Sequence, residues 1–289
     1  MDFLNYRNAV AAKFHGFLML VFFAANVFSL YAGSVGSDPY AAWGDTLTPP
    51  AVTPFPSIPP FEAEYRFGWL GMGAGGARVN VGTGKAGDRT IEVHGGPDSW
   101  IRKLWDYQAI YSGEAGGNGG SPSWFHMEEC EGKKDILSDA VFRQGNVFAC
   151  HRLATEKKPW ESRDLPGVRD LFAAMLCVRS LPLYEGDKIR LVVFPDESPY
   201  LVDLTLTGHD SLTMLGRKIR AFRFTIRIQS IETHGENKGM LTPHRKFRSG
   251  RVWMSDDAQR LPLRAEVDIF VGKVFAEMVT CRLENGKEY

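Results

Sequence analysis

The sequence predicts a mainly β protein: a curved antiparallel sheet or open β-barrel of about ten or more strands, with one covering α-helix near residues 168–180. Apolar and polar residues alternate along most of the chain, and this period of two is typical of half-buried antiparallel strands. Turn residues such as Gly145-Asn146 separate the alternating runs. Because only one segment carries a clear helical repeat, we expect a large sheet that curls around or under that helix.

The amino-terminal segment predicts export. Arg7 and Lys13 precede the apolar stretch GFLMLVFFAANVFSLYAG, which ends in small residues at 32–34. A basic start, an apolar run and a small-residue cleavage site are the pattern of a secretory signal peptide, here residues 1–34. An uncleaved membrane anchor is the alternative, since about 17 apolar residues is near the minimum that spans a bilayer. Both alternatives predict a periplasmic or otherwise exported protein, and the short stretch with its internal Asn26 favours cleavage.

Residues 35–60 are predicted to be a proline-rich linker. The part at 48–60 contains six prolines, and such a segment favours an extended spacer of about 3.1 Å per residue. A single β-rich domain is then expected at 61–289. Within it, the glycine-rich stretch 112–123 is expected to be a loop.

The strand predictions depend on alternation. In 200–207 and 220–229, apolar residues occupy every second position and polar residues the positions between. Shorter runs of the same kind are EAEYRFGWL, ARVNVG, RTIEVH, SWFHMEEC, DAVFRQGNVFACHRL and KIRLVVF.

The helix prediction depends on one segment, PGVRDLFAAMLCVRSLPL. Its apolar residues follow the spacing of one helix face, at Val168, Leu171, Phe172, Met175 and Val178. Pro166 precedes the helix and Pro182 ends it. We expect Phe172 and Met175 to pack against the sheet. A shorter helix is predicted near PDSWIRKLW.

Export places the four cysteines in an oxidising compartment. They have no C-x-x-C spacing, so neither a zinc site nor a thioredoxin-like motif is indicated. Cys130 and Cys150 lie on predicted strands close in sequence and form a possible disulfide. Cys177 and Cys281 are expected to be buried thiols.

The pair Asp256–Asp257 lies between two alternating runs, in RVWMSDDAQRLPLRAEV. Short polar side chains there are typical of a tight turn, because they bond neighbouring backbone amides. The alternative is a carboxylate pair for acid–base chemistry or calcium, which would need further ligands. With the turn interpretation, Trp253 is expected to be a packing residue.

Several function classes lack their signature. Lys+Arg and Asp+Glu are both 34, so no charge excess points to nucleic acid. GMGAGG is followed by a predicted strand, whereas a dinucleotide site needs a helix there. The histidines share no metal-ligand spacing and no G-x-S-x-G is present. We therefore expect no cofactor, no metal and no catalytic residues that the sequence can name.

Three segments carry a family resemblance: VWMSDDAQRLPLRAEVDIFVGKVFAEM, DLFAAMLCVRSLPLYEGDKIRLVV and SLTMLGRKIRAFRFTI. Together they resemble the bacterial exported family called domain of unknown function 3108, over roughly residues 61–283. Leu171 departs from the family's small or proline position, and 112–123 resembles an addition. The resemblance implies a periplasmic β-rich domain with no established reaction. It also marks motif positions of unknown role: Asp170, Arg179, Gly186, Trp253, Ser255, Asp256, Asp257, Pro262 and Gly272.

Three functions are carried forward. The first is a noncatalytic exported protein that binds an apolar or amphipathic envelope molecule, such as a lipid or glycan, or docks an envelope protein. The second is an envelope hydrolase acting on glycan or ester bonds, with two carboxylates about 5–10 Å apart for a glycan. The third is a structural assembly factor with a filled core. Membrane contact is expected only through the amino-terminal segment, if it is uncleaved.

Overall fold

The computed structural model describes residues 40, 42–49, 59–84, 87–102, 106–116, 121–143, 145–244, 247–269 and 272–289. The predicted signal peptide or anchor and residues 50–58 of the predicted linker lie outside these ranges. In the ranges described, no helix has the length and apolar character needed to cross a membrane.

One antiparallel sheet of fifteen strands dominates the structure, which confirms the mainly β prediction. The strands are β1 (Phe61–Trp69), β2 (Met72–Thr83), β3 (Arg89–Pro97), β4 (Tyr107–Gly116), β5 (Ser121–Glu131), β6 (Lys134–Arg143), β7 (Asn146–Leu153), β8 (Glu161–Asp164), β9 (Lys188–Val193), β10 (Tyr200–Met214), β11 (Arg217–Ile231), β12 (Leu241–Pro243), β13 (Phe247–Ser255), β14 (Pro262–Ile269) and β15 (Lys273–Leu283). The helices are α1 (Ser99–Arg102) and α2 (Leu171–Ser180), with 3-10 turns at Gly44–Thr46 and Gly235–Asn237.

Two meanders make the sheet. Strands β1 to β8 pair in sequence order, the later strands form a second series from β9 to β15, and β1 pairs with β15 where the two series meet. We call the end with the β1–β2 turn, α1 and the β14–β15 turn the upper end. The lower end carries the β10–β11 turn and the turn at 256–261.

The predicted alternation is observed as alternating burial in β10 and β11. Val202, Leu204 and Leu206 are buried, as are Phe224 and Ile226 on the paired strand. The predicted loop at 112–123 is strand at both flanks, while its centre, residues 117–120, lies outside the described residues. There β4 continues to Gly116 and β5 starts at Ser121. Small residues at its alternate positions let this part of β4 pair as a strand, and Gly113 lies opposite Phe125.

Helix α2 lies on the concave side of the sheet and contacts β4, β5 and β9. Every residue of α2 is buried except Met175, which is partly buried. Phe172 is fully enclosed, and Met175 also packs against the core, as predicted. A helix that is apolar all round belongs in an interior. The helix is therefore a plug in the curved sheet rather than an amphipathic cover.

The first described residues correct the predicted linker. Tyr40 and Trp43 are buried, and the Trp43 indole Nε1 donates to the main-chain oxygen of Gly239 at 2.9 Å. Thr48 then exchanges two hydrogen bonds with Arg190 of β9. This segment supplies two aromatic rings to the core and partners for the outer edge of β9, which explains why it docks.

Side chains and short backbone contacts bring the two ends of the sheet together. The Arg163 guanidinium of β8 donates to the main-chain oxygen of Glu197 and lies 5.4 Å from the ring centre of Phe194. Arg169, just before α2, forms a parallel bridge with Val193 of β9. The edge strands β8 and β9 do not pair with each other, so the sheet is open. It nevertheless encloses α2 as a barrel would.

Candidate functional site

Asp170 holds the amino terminus of α2. Its Oδ1 accepts hydrogen bonds from the amides of Phe172 and Ala173 at 2.7 and 2.9 Å, and from the Tyr111 hydroxyl at 3.0 Å. The first amides of a helix lack partners within the helix, so this carboxyl is an N-cap. Burial raises its pKa to about 6. Tyr111 belongs to β4, so the cap also ties the helix to the sheet.

Two arginines hold the carboxyl terminus of α2. The buried Arg179 side chain donates to the main-chain oxygen of Gln259 at 2.8 Å and lies 5.2 Å from the Phe61 ring centre. Burial lowers the pKa of Arg179 to about 9. In return, Arg260 donates to the main-chain oxygens of Arg179 and Leu181. We call Arg179, Gln259 and Arg260 the helix clasp.

The Ser-Asp-Asp segment forms the turn that the sequence predicts. Asp257 Oδ1 accepts from the Ser255 hydroxyl at 2.8 Å and from the amides of Gln259 and Arg260 at 2.9 and 3.2 Å. Its Oδ2 accepts from the Tyr289 hydroxyl at 2.5 Å. The turn therefore presents Gln259 and Arg260 to α2, so the motif's serine and second aspartate act on the helix through backbone geometry.

Asp256 points elsewhere. Its Oδ2 lies 2.8 Å from Arg220 Nε and 3.4 Å from His209 Nε2, both on neighbouring strands. The two adjacent carboxylates thus have different partners. This arrangement suits a surface turn better than a shared metal or acid–base pair.

Trp253 is buried on the outer face of the sheet, as a packing residue. Its ring lies 5.4 and 5.8 Å from the guanidinium carbons of Arg251 and Arg264. Its Nε1 donates to Asp210 Oδ2 at 2.8 Å, and Asp210 also pairs with Arg223. Arg223 is therefore only partly exposed, and its charge is paired with that of Asp210.

The remaining motif positions serve backbone geometry. The main-chain oxygen of Pro262, the first residue of β14, accepts from the Tyr65 hydroxyl at 2.8 Å. Gly186 has a φ of 91° in the turn before β9. Gly272 has a φ of 85°, and a Cβ added there would lie 2.4 Å from Leu70 Cδ2. The structure thus gathers Asp170, Arg179, Ser255, Asp257 and Pro262 around α2 and its lower contact, and places the other motif positions apart.

The possible disulfide between Cys130 and Cys150 is not formed. Strand β6 lies between their strands, and they pair with Asp135 and Asp139 on it. Two strand spacings amount to about 10 Å, beyond the Cα separation of about 7 Å that a disulfide allows. Instead, the Cys130 thiol bonds to Asp135 and the buried Cys150 thiol to the main-chain oxygen of Lys158. Cys177 and Cys281 are buried, as predicted.

A group of polar residues at the upper end of the interior has no sequence motif. It comprises Tyr107, Glu129, Ser138, His151, Asp196 and Glu197, which we call the upper polar cluster. Tyr107 donates to Glu129 at 2.6 Å, and the Ser138 hydroxyl lies 2.7 Å from His151 Nδ1. The other ring nitrogen, Nε2, lies 3.9 Å from a carboxylate oxygen of Glu197.

Burial decides the electrostatics of the upper polar cluster. It raises the pKa of Asp196, and the nearby Glu129 raises it further while His151 lowers it. The one local sequence signal is at Glu129, which occupies an inward position of β5 after Phe125 and Met127. A charged residue at one of these inward, otherwise apolar positions indicates a polar group in the interior.

The upper polar cluster has little room for a substrate. Ser138 is fully buried, and the adjacent cleft beside His151 and Asp196 has a volume of about 10 Å³, room for roughly one water molecule. Among the described residues, no three His, Cys, Asp or Glu side chains are placed to hold a metal ion. The geometry therefore supports a buried hydrogen-bond network more than a reaction centre.

A larger groove lies outside the sheet at the lower end. Its volume is about 480 Å³, and it is lined by Glu62, Glu64, Arg78, Leu215, Val279, Thr280, Cys281, Arg282, Glu288 and Tyr289. Arg78 pairs across it with Glu64 at 3.0 Å. The groove is polar and its charges are already paired in part.

The family model "Protein of unknown function (DUF3108)" matches residues 61–279, which includes every strand from β1 to β14 and most of β15. The chain belongs to the DUF3108 family. No curated protein matches the sequence. The motif positions that hold α2 in this DUF3108 protein thus lie within the segment that defines the family.

A solved structure shares the fold of this DUF3108 chain. A β-barrel-like protein of domain of unknown function DUF1849 from Brucella abortus superimposes with a TM-score of 0.54 at 11% identity, covering 78% of this chain and 98% of that one. At that identity the similarity is one of fold. Two others have a TM-score of 0.29: a candidate lipoprotein from Parabacteroides distasonis (7% identity, 78% and 95% covered) and a candidate exported protein with a YmcC-like fold from Bacteroides fragilis (8%, 78% and 96%).

Proposed function

We propose that this DUF3108 protein is a noncatalytic exported protein that contacts an envelope partner through its outside and holds no ligand inside. One observation carries the proposal. Helix α2 occupies the concave side of the sheet, is buried almost throughout, and is fastened at both ends by Asp170 and by the helix clasp.

A ligand inside the sheet would have to displace α2. Phe172 of this helix, which contacts β4, β5 and β9, is fully buried, and removing such a ring from a core costs about 3–5 kcal/mol. Displacement would also leave the buried Asp170 and Arg179 without their hydrogen bonds, which adds a desolvation cost. Sites open to a partner are therefore on the exterior.

Export is supported by the sequence of residues 1–34, with its basic start and apolar run. The cysteines are compatible with either compartment, because they do not form a disulfide framework.

Native mass spectrometry of the protein recovered from the cell envelope, with organic extraction of the same sample, tests the filled interior. We expect the mass of the polypeptide alone. The variant Phe172→Ala is a positive control, because an apolar cavity of this kind binds small apolar probes. Xenon or benzene should bind this variant and leave the wild type unaffected. A stoichiometric lipid or glycan extracted from the wild type would overturn the proposal.

An envelope hydrolase is the second candidate, and the upper polar cluster favours it. Glu129 is close enough to raise the pKa of Asp196, and Ser138 contacts His151. Ester and glycan substrates should be assayed with the wild type, Glu129→Gln and Asp196→Asn. We expect no turnover by any of them. Turnover by the wild type that both substitutions abolish would establish the hydrolase.

A further inference from the structure

Three large apolar side chains are exposed together at the upper end. Leu70 and Met72 flank the tip of the β1–β2 turn and are 55% and 59% exposed, and Trp100 of α1 is 60% exposed. Asp98 donates its amide to the main-chain oxygen of Ala74, which ties the start of α1 to β2. We call Leu70, Met72 and Trp100 the upper rim.

The conformation of Leu70 is costly for an exposed leucine. Its φ is 51°, and Gly71 follows with a φ of 83°, so the turn is of the two-residue kind that favours Asn-Gly. Leu215 occupies the equivalent position of the β10–β11 turn with the same φ, but its side chain packs against the core. Core packing therefore explains why a leucine occupies the left-handed position at 215. It does not explain why a leucine occupies the same kind of position at 70.

The upper rim is held in place from behind. Leu70 donates its amide to the main-chain oxygen of Lys273 at 2.8 Å, and its side chain lies against Gly272 of the next turn. In α1, Ile101 packs against the core, so the neighbouring Trp100 faces outward beside the exposed Arg102. The backbone that carries the exposed side chains of the upper rim is therefore held in place by the rest of the fold.

The amino-terminal segment reaches the fold at the same end. Trp43 is fixed to Gly239, in the connection that follows β11 at the upper end, and the Lys238 ammonium lies 5.6 Å from the Tyr40 ring centre. Tyr40 comes seven positions after Gly33, where the apolar stretch ends. Seven steps along an extended chain span at most about 25 Å. If that stretch is retained in a membrane, the upper end is the end held near the lipid.

We propose that the upper rim rests on the surface of a lipid bilayer. This inference builds on the exterior contact proposed above and names its partner as lipid. Tryptophan is favoured at the boundary between headgroups and acyl chains, where its ring is half apolar and half polar. Leu70 and Met72 supply apolar area on either side of the turn tip, and Arg102 suits phosphate groups. The contact is a shallow one by three side chains and is reversible in a protein without an anchor.

Quenching by brominated lipids tests this contact. The protein is taken in the processed form recovered from cells and mixed with vesicles of phosphatidylethanolamine and phosphatidylglycerol that carry bromine on their acyl chains. We expect quenching of tryptophan fluorescence that Trp100→Tyr largely removes. The matched control is Trp124→Tyr, because Trp124 is 38% exposed and lies opposite Glu114 in the lower half of the sheet, away from the upper rim. Quenching that survives Trp100→Tyr, or is absent in the wild type, overturns the inference.

A second measurement separates the bilayer from a protein partner. The second measurement is vesicle sedimentation with the processed protein. The combined substitutions Leu70→Ser and Met72→Ser should weaken partitioning into the vesicles by about tenfold. If the processed protein retains an anchor, the same substitutions should instead remove the fluorescence quenching. Tyr184→Ser with Val279→Ser, two exposed residues distant from the upper end, should change neither. If the vesicles show no contact and a photocrosslinker at position 72 captures one defined envelope protein, the rim is a protein-docking surface. That result overturns the lipid inference and leaves the noncatalytic function standing.

Discussion

The Arg260 guanidinium lies 2.9 Å from the main-chain oxygen of Arg179, and the Arg179 side chain reaches the main-chain oxygen of Gln259 at 2.8 Å. Each of the two segments therefore donates an arginine to the backbone of the other. The last carbonyls of a helix have no hydrogen-bond partner within the helix and carry partial negative charge. An arginine there donates the missing hydrogen bonds and supplies the opposite charge. This exchange joins the plug helix to the turn of the Ser-Asp-Asp motif.

Replacing Arg260 with methionine should loosen that joint. Arg260→Met keeps most of the side-chain stem and removes the hydrogen bonds to Arg179 and Leu181, so we expect the free energy of unfolding to fall by about 1–3 kcal/mol. Arg282→Met, at an exposed position of β15, is the control and should change stability by less than about 0.5 kcal/mol. Urea unfolding of both variants gives the comparison. Equal effects would show that the clasp contributes nothing specific.

Asp257 should tolerate asparagine and resist valine. Asp257→Asn keeps an oxygen that can accept from Ser255 and the two turn amides, so we expect a loss below about 1 kcal/mol. Asp257→Val removes every acceptor and places a β-branched residue in a turn, which should cost about 2–4 kcal/mol. Chelator should leave the melting temperature unchanged. A chelator effect, or equal loss in both variants, would favour a calcium or catalytic pair.

Gly272 and Gly71 separate two costs of adding a side chain. Both have a left-handed φ, 85° and 83°. Around Gly71 no atom lies within 4 Å of an added Cβ, whereas at Gly272 the Leu70 side chain occupies the space. Gly71→Ala should therefore cost about 1–2 kcal/mol for the backbone alone, and Gly272→Ala about 1–3 kcal/mol more for the displaced Leu70. Thermal unfolding that ranks the two variants in the opposite order would contradict the contact.

Stability should depend on pH through Asp170. Its pKa rises from 3.8 to about 6 in the fold because it is buried, so between these values the folded protein keeps a proton that the unfolded chain has released. The contribution to stability is complete below about pH 4 and is lost as the pH rises through 6. It is on the order of 3 kcal/mol.

Asp170→Asn should flatten this dependence, because asparagine can still cap the helix but does not titrate. Urea unfolding of the wild type and the variant at several pH values from 4 to 7 measures the difference in slope. Buried Asp196 keeps a slope of the same sign in both proteins, since its pKa is also raised. Asp164→Asn, on the exposed part of β8, is the control. An unchanged slope in Asp170→Asn would show that this carboxyl does not titrate in that range.

The periodicity of apolar residues predicted those strands and the helix in which one face of the element is buried. The alternation in β10 and β11 and the spacing of Phe172 and Met175 are visible in the sequence because each reports one buried face. The spacing of large apolar residues in α2 indicates only one buried face, whereas the structure buries the helix on both faces. Ala173 and Cys177, on the other face, are small and equally buried.

The positions that depend on distant contacts could not be predicted. Asp196 lies in the segment PDESP, which is typical of a turn, and it becomes buried only because the sheet curves and brings β5 and β7 near it. Trp43 lies in a stretch whose prolines predict a spacer, and its docking depends on Gly239, far along the chain. The family resemblance located Asp170 and Arg179 without giving their role, which appears once both ends of α2 are seen together.

The pairing of β1 with β15 sets an order of assembly. Phe61 lies opposite Leu283, so one edge of β1 stays uncovered until nearly the whole polypeptide is present. An exported chain that emerges amino terminus first would complete the β1 to β8 meander early, yet with one long edge exposed to other chains. The late arrival of β15 therefore gates the final step of folding. Until β15 pairs with β1, that edge can pair with other chains, so truncations near the carboxyl terminus should yield aggregates rather than smaller folded proteins.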